Sequence, residues 1–242
     1  VDTIFKKYSA GKKFLLYIVG MSSFGFLAEA MVVFLGLRTY SSEVVDIMWG
    51  LHIWNTPIEV FYYIPVFSAL IIGFYKYWLM YLDKVPIVPE KKVNWIKSFI
   101  ISVVAVFLFE LMVEPMAVNS HLPSWSYIYH DISFIMTGIW ILIIWLSTKL
   151  VDKYFIHFDV KKRFGIYLLT AGIVSIILES FYVAKGFRAY ADTVVNNFIG
   201  WKIPLTGLPV EIVFAMPMYI ALMIGFIRYW EFITSKNRKI RA

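Results

Sequence analysis

The chain has 242 residues, of which 60% are hydrophobic, 19% aromatic and only 16% charged, with a mean hydropathy of +0.72 and a formal net charge of +7. That balance lies outside the range of soluble globular domains and points to a protein whose solvent is the bilayer. No cysteine is present, which excludes a disulfide framework, a thiolate nucleophile and a cysteine-ligated metal.

The first eleven residues are polar and carry Lys6 and Lys7, and no small-residue cleavage site follows the first apolar run. That run reads as a retained span and not as a signal peptide. Apolar runs long enough to cross a bilayer, about 20 residues each, fall at 14–37, 57–81, 98–118, 126–148, 164–185 and 209–232. They predict an all-α integral membrane protein, one domain over 1–242, with six transmembrane helices paired as three hairpins (14–81, 98–148 and 164–232). The outer-loop segments 43–54 and 192–202 are amphipathic and predict short interfacial helices, with Trp49, Trp54 and Trp201 at headgroup depth. Residues 86–89 read as a turn between the first two hairpins.

Of the 23 basic residues, only Arg38, Lys185, Arg188 and Lys202 fall on one side of this topology. The others gather at the opposite side, in clusters such as Lys12 and Lys13, Lys91 and Lys92, Lys161 to Arg163, and Arg238 to Arg241. The positive-inside rule places that side, and both termini, in the cytoplasm of a multi-pass cell-membrane protein. Because the basic residues flank spans and form no domain of their own, nucleic acid is not an expected partner.

The first and third hairpins share a sequence pattern. Residues 57–78 and 209–230 match in register through Pro, Glu, a second Pro (Pro65, Pro217), Ala-Leu, Ile-Gly-Phe and Tyr-Trp. Upstream, Glu29, Gly36, Arg38 and Tyr40 are echoed 150 residues later by Glu179, Gly186, Arg188 and Tyr190. The middle hairpin is a more distant copy, with Glu110 and Glu114 in its first helix. Parallel repeats of this kind pack around an axis along the membrane normal, with the site where they meet.

Carboxylates in hydrocarbon are costly, so Glu29, Glu59, Glu110, Glu114, Glu179 and Glu211 are the candidate catalytic residues. A carboxyl removed from water favours its neutral form and can then deliver a proton. Structural roles compete for some of them. Thr56 and Glu59 have the spacing of a capping box, Glu211 sits where the helix dipole favours an acid, and Glu29 and Glu179 can pair with Arg38 and Arg188. Four histidines occur, in none of the usual iron or zinc spacings; His121, His130 and Asp131, near Glu114, are the residues placed to share a metal. Tyr62, Tyr63, Trp125, Phe181, Tyr182 and Phe214 lie close to the acids in sequence. They are the candidate substrate-binding wall, since ring faces attract a cation without attacking it.

A hairpin with an acid, then Gly-x-Arg-x-Tyr, then Pro-x-Glu opening the returning helix, resembles the repeat of small membrane carotenoid enzymes, the lycopene cyclases and related carotenoid hydratases. Glu110-x3-Glu114-Pro115 followed by Trp125-Ser126-Tyr127 is similar to the hydratases' Asp-Pro segment and its Trp-x-Trp. The pattern departs from theirs in having Val60 and Ile212 where a second acid is usual, and in lacking a third Pro-x-Glu. The resemblance implies proton-initiated cyclisation or hydration of a C=C bond in a long apolar isoprenoid, with no cofactor, in carotenoid biosynthesis. Two other readings fit the same residues: a non-catalytic structural or pigment-binding subunit of a larger membrane complex, homo- or hetero-oligomeric, and a proton-coupled transporter.

Overall fold

The computed structural model describes residues 1–2, 4–40, 45, 48–85 and 94–239. Its frame is six long helices: α1 (Ala10–Phe34), α2 (Val60–Leu82), α3 (Trp95–Val113), α4 (Phe134–Tyr154), α5 (Val160–Ala184) and α6 (Val210–Lys239). All six are long and apolar enough to cross a membrane, so the chain is a multi-pass membrane protein. Local chemistry starts them. Ser9, Asn94, Ser133 and Asp159 each accept a first-turn backbone N–H through the side chain, satisfying one of the donors a helix leaves free. Helices α1 and α5 end alike. Gly36 and Gly186 adopt φ of +68° and +74°, and the next residue's N–H returns to Val32 and Tyr182 respectively, both at 2.9 Å. A side chain at either glycine would meet the left-handed penalty.

The core lies where α2 crosses α6. A Cβ on Gly73 would stand 2.9 Å from the Phe226 Cα, and one on Gly225 would stand 2.9 Å from the Phe74 Cα. Only glycine lets the two backbones approach this closely, and such small-residue contacts are how helices associate where lipid removes the hydrophobic drive. Around this seam Leu70, Ile220, Met223, Ile224 and Ile227 are fully buried. Helix α3 packs on both α2 and α6, α4 on α3 and α5, α5 on α6, and α1 on α2. The outermost, α1, buries only Phe14 and Ala30. Phe14 reaches Trp230 on α6 (ring centroids 4.9 Å apart), while Phe164, 150 residues later, reaches Trp78 on α2 (5.0 Å).

At the lysine-rich end two ionic clusters hold helix ends together. Lys76 on α2 binds Asp2 and the Tyr17 hydroxyl. Arg228 on α6 binds Asp152 at 2.7 Å and Glu231 at 2.6 Å, Tyr167 donates to Asp152, and Lys149 pairs with Glu231 at 2.7 Å. Charges this buried persist only when each has a partner.

The opposite end departs from the sequence expectation. Helix α2 begins at Val60, not at 57, because His52–Ile53 (β1) and Thr56–Pro57 (β2) pair as a two-stranded hairpin. Thr56 is therefore buried in a strand with its hydroxyl unpartnered, and the Thr56–Glu59 capping box does not form. Helix α4 begins at Phe134, eight residues later than the apolar run, because Tyr127–Tyr129 (β4) pairs with Ile132–Ser133 (β5). Of the interfacial helix expected over 192–202, one turn exists, Asp192–Val195. That over 43–54 ends in strand β1, and residues 43, 44, 46 and 47 lie outside the described residues, as do the 86–89 turn, Lys91, Lys92 and Arg241. Ala117–Asn119 (β3) runs antiparallel to Arg188–Tyr190 (β6), tying the end of α3 to the end of α5.

Candidate functional site

Where α3, α5 and α6 meet at the strand-bearing end, they line a partly open cavity of about 220 Å³. Its polar groups come from separate elements: Glu110 from the last turn of α3, Glu179 from the last turns of α5, Glu211 from the first turn of α6, and Arg188 and Tyr190 from β6. The rest of the wall is apolar. Phe109 stands between Trp140 and Tyr219, with centroids 6.0 and 5.4 Å away, and Phe198 and Met216 complete that side.

Each acid is held differently. Glu179 Oε1 accepts the Tyr190 hydroxyl at 2.6 Å and lies 3.5 Å from Arg188 Nε. Glu211 Oε1 accepts the Ile199 backbone N–H at 2.6 Å, which ties the loop between β6 and α6 to the start of α6. Glu110, 3% exposed, has Oε1 buried without a hydrogen-bond partner, and the same is true of Oε2 of both Glu179 and Glu211. Three carboxylates from three helices that line one cavity thus each keep a buried oxygen without a hydrogen-bond partner. Burial opposes the charge on Arg188, but Glu179 and Glu110 outweigh it and keep the guanidinium firmly cationic. Burial, then Glu179, raises the Tyr190 phenol well above its ordinary value, so it stays a donor.

The strand pairing makes this arrangement. Gly186 turns the chain at the end of α5, so that Arg188 and Tyr190 enter β6 opposite Asn119 and Ala117. Arg188 is thereby drawn under β3, and only 5% of its side chain is exposed.

Of the six expected acids, the cavity gathers Glu110, Glu179 and Glu211 and leaves out Glu29, Glu59 and Glu114. Glu29 is bound by Arg38 at 2.6 Å and Tyr40 at 2.8 Å, Glu59 accepts the Trp49 N–H at 2.5 Å, and Glu114 accepts the Tyr63 hydroxyl at 3.0 Å. The pairing of Glu29 and Glu179 with the arginines nine residues on is therefore present at both places. None of these acids is at mid-span. Glu29 lies five residues before the end of α1, about 7.5 Å along the axis.

The expected aromatic wall is a different set of rings. Trp125, Phe181 and Phe214 are 72%, 48% and 75% exposed, and Tyr62, Tyr63 and Tyr182 do not line the cavity. Phe181, two residues beyond Glu179, leaves α5 about 200° away from it, whereas Phe214 is one turn beyond Glu211 and yet turns out of the cavity, 75% exposed. The rings that do line it, Phe109, Trp140, Tyr190, Phe198 and Tyr219, were missed. Only Tyr219, two turns beyond Glu211, carried a helical-spacing signal. His121 and His130 are exposed in left-handed turns, and among the described residues no three His, Asp or Glu side chains come together as a metal site. Asp131 instead accepts from the Asn119 amide through its backbone carbonyl, and burial raises its carboxyl above the ordinary range. Comparison of the chain with protein-family models, curated proteins and solved structures finds no match.

Proposed function

We propose that the protein is a membrane enzyme that protonates a C=C bond of a long apolar isoprenoid, in line with the resemblance to carotenoid cyclases and hydratases. The observation that carries this reading is the apolar cavity with three glutamates, each having an unpartnered buried oxygen. Glu110 forms no ion pair among the described residues and is the proton donor, because a carboxyl out of water and unpaired is more stable neutral. The π electrons of the substrate bond take the Glu110 proton, a C–H bond forms, and the O–H electrons return to the carboxylate. The resulting carbocation faces Phe109, Trp140 and Tyr219, whose ring faces stabilise it without bonding to it.

Two outcomes balance from there. A second C=C bond attacks the cation to close a ring and a neighbouring carbon loses its proton to Glu211 or Glu179, giving an isomer. Otherwise water adds to the cation and loses a proton to the same bases, giving a hydrate. Neither consumes an oxidant or reductant. Arg188 and Tyr190 position Glu179, and the Ile199 N–H positions Glu211.

The surrounding architecture belongs to the same proposal. The six spans form three hairpins, the first and third being copies related by an approximate two-fold axis along the membrane normal, between α2 and α6. Contacts 150 to 152 residues apart support this: Glu29–Tyr40 with Glu179–Tyr190, Glu59–Trp49 with Glu211–Ile199, and Lys76–Tyr17 with Arg228–Asp152–Tyr167. The lysine-rich end and both termini face the cytoplasm, and the cavity lies toward the outer surface. The architectural reading is favoured for Glu29 and Glu59, which are held by Arg38, Tyr40 and the Trp49 N–H and do not line the cavity.

Organic extraction of the purified protein tests the substrate class. A polyene or other isoprenoid recovered at about one per chain is expected. Recovery of membrane phospholipid alone contradicts the reading.

A further inference from the structure

Glu114 is a buried acid outside the cavity lining, 6% exposed against 3% for Glu110. It caps α3 with φ of −48° and ψ of −45°, so the helix carries through it and it stands one turn beyond Glu110. Side chains four apart on a helix share a face, with Cβ atoms about 5–6 Å apart. Glu114 therefore lies next to the proposed proton donor on its strand-bearing side.

Its partners form a chain of exchangeable protons. Tyr63 on α2 donates its hydroxyl to Glu114 Oε2 at 3.0 Å. The Tyr62 and Tyr63 hydroxyls interact in turn, with their ring centroids 4.3 Å apart. The Tyr62 hydroxyl meets that of Tyr129 in β4 at 3.0 Å. Tyr129 lies against the exposed His130 in the turn between β4 and β5, with ring centroids 4.2 Å apart. His130 and Asp131 are also the residues whose charges act on Glu114. A phenol donates and accepts at once, which is what passing a proton along requires. The chain Tyr129, Tyr62, Tyr63 and Glu114 thus joins the strand-bearing surface to the turn of α3 that holds Glu110.

From this arrangement we infer that Glu114 and the hydroxyls of Tyr63, Tyr62 and Tyr129 resupply Glu110 with protons from water at the strand-bearing surface, an inference that rests on Glu110 being the donor under Proposed function. While a ligand fills the apolar cavity, water is kept from the Glu110 carboxylate that has just given up its proton. The next proton then arrives along α3. Glu114 passes its proton to the Glu110 carboxylate, directly or through one water, and takes the Tyr63 hydroxyl proton in return. Tyr63 takes one from Tyr62, Tyr62 from Tyr129, and Tyr129 from surface water, so every O–H bond broken is matched by one formed. The proton collected by the base in each cycle returns to water through Glu211, half-buried at the start of α6. Glu114 acts only through Glu110, since it does not line the cavity.

Infrared spectroscopy of the full chain in lipid nanodiscs tests this without turnover, by following deuterium exchange of the protonated Glu110 carboxyl after transfer to heavy water with farnesol present. The Glu110 band is identified by its loss in Glu110→Gln. Exchange is expected to slow at least tenfold in Glu114→Gln and in Tyr63→Phe. The second variant removes only a hydroxyl and keeps the test decisive should the first not fold. With lycopene, Glu114→Gln should give a first turnover at the wild-type rate and later turnovers at least tenfold slower, a split that a merely structural role does not produce. Wild-type exchange in both variants, or equal losses in first and later turnovers, overturns the relay and leaves Glu110 as donor standing. Slowed exchange in both variants without any product from lycopene supports the relay and sinks only the proposed reaction. A wild-type spectrum with no Glu110 carboxyl band sinks both.

Discussion

Arg188 shows how one side chain can be asked to do structural and chemical work at once. It is buried against Glu179, and Glu110 also contributes to keeping it charged. Replacing it by Met leaves two acids facing an apolar cavity with no cation near, and removing one partner of a buried pair costs about 3–5 kcal/mol. Thermal melting of Arg188→Met in detergent should show that loss, whereas Arg38→Met, at an exposed pair, should lie within about 1 kcal/mol of wild type. Equal melting shifts for the two would mean that the two ion pairs are equally buried. At the other end, Arg228 joins Asp152, Glu231 and the Thr148 carbonyl. Arg228→Met should cost a similar 3–5 kcal/mol without altering ligand recovery, because it is remote from the cavity lining.

The helices were legible from the sequence because each apolar run is long enough to cross a bilayer. Their ends were not. Runs such as 126–133 are apolar enough to extend a span, yet their backbone groups pair between β4 and β5, and hydropathy does not distinguish the two. Glu179 and Glu211 could be found by their duplication and Glu110 by its place in an apolar run, whereas the rings around them could not. Phe109 and Trp140 reach the site because α3 packs on α6 and β3 pairs with β6, contacts between non-consecutive segments that no local periodicity encodes. The α2–α6 seam is the element-scale consequence of Ile-Gly-Phe occurring in both helices, since Gly73 receives Phe226 and Gly225 receives Phe74. Gly225→Ala places a methyl against the Phe74 backbone, which cannot swing aside. Overpacking of this kind costs about 1–3 kcal/mol, and the double variant with Gly73→Ala should lose more than either alone. A melting temperature unchanged by both substitutions would show that the helices are not in close contact.

For the whole molecule, charge is segregated along the bundle. Paired lysines and arginines mark one end, and strands, exposed tryptophans and the acid-lined cavity mark the other. Single cysteines at Trp49 or Leu205 should react with a membrane-impermeant maleimide in intact cells, and one at Lys153 should react only after lysis; the reverse pattern would invert the topology. The most direct measurement concerns the chemistry itself. Purified protein is incubated with lycopene, and the products are weighed by mass spectrometry as an isomer or as a hydrate one water heavier. Glu110→Gln keeps the shape of the side chain but has no acidic proton, so turnover should fall at least a hundredfold, while Glu59→Gln, outside the lining of that cavity, should stay within a few-fold of wild type. Full activity in Glu110→Gln, or equal losses in the two variants, would contradict a single proton-donating site at the α3–α5–α6 cavity.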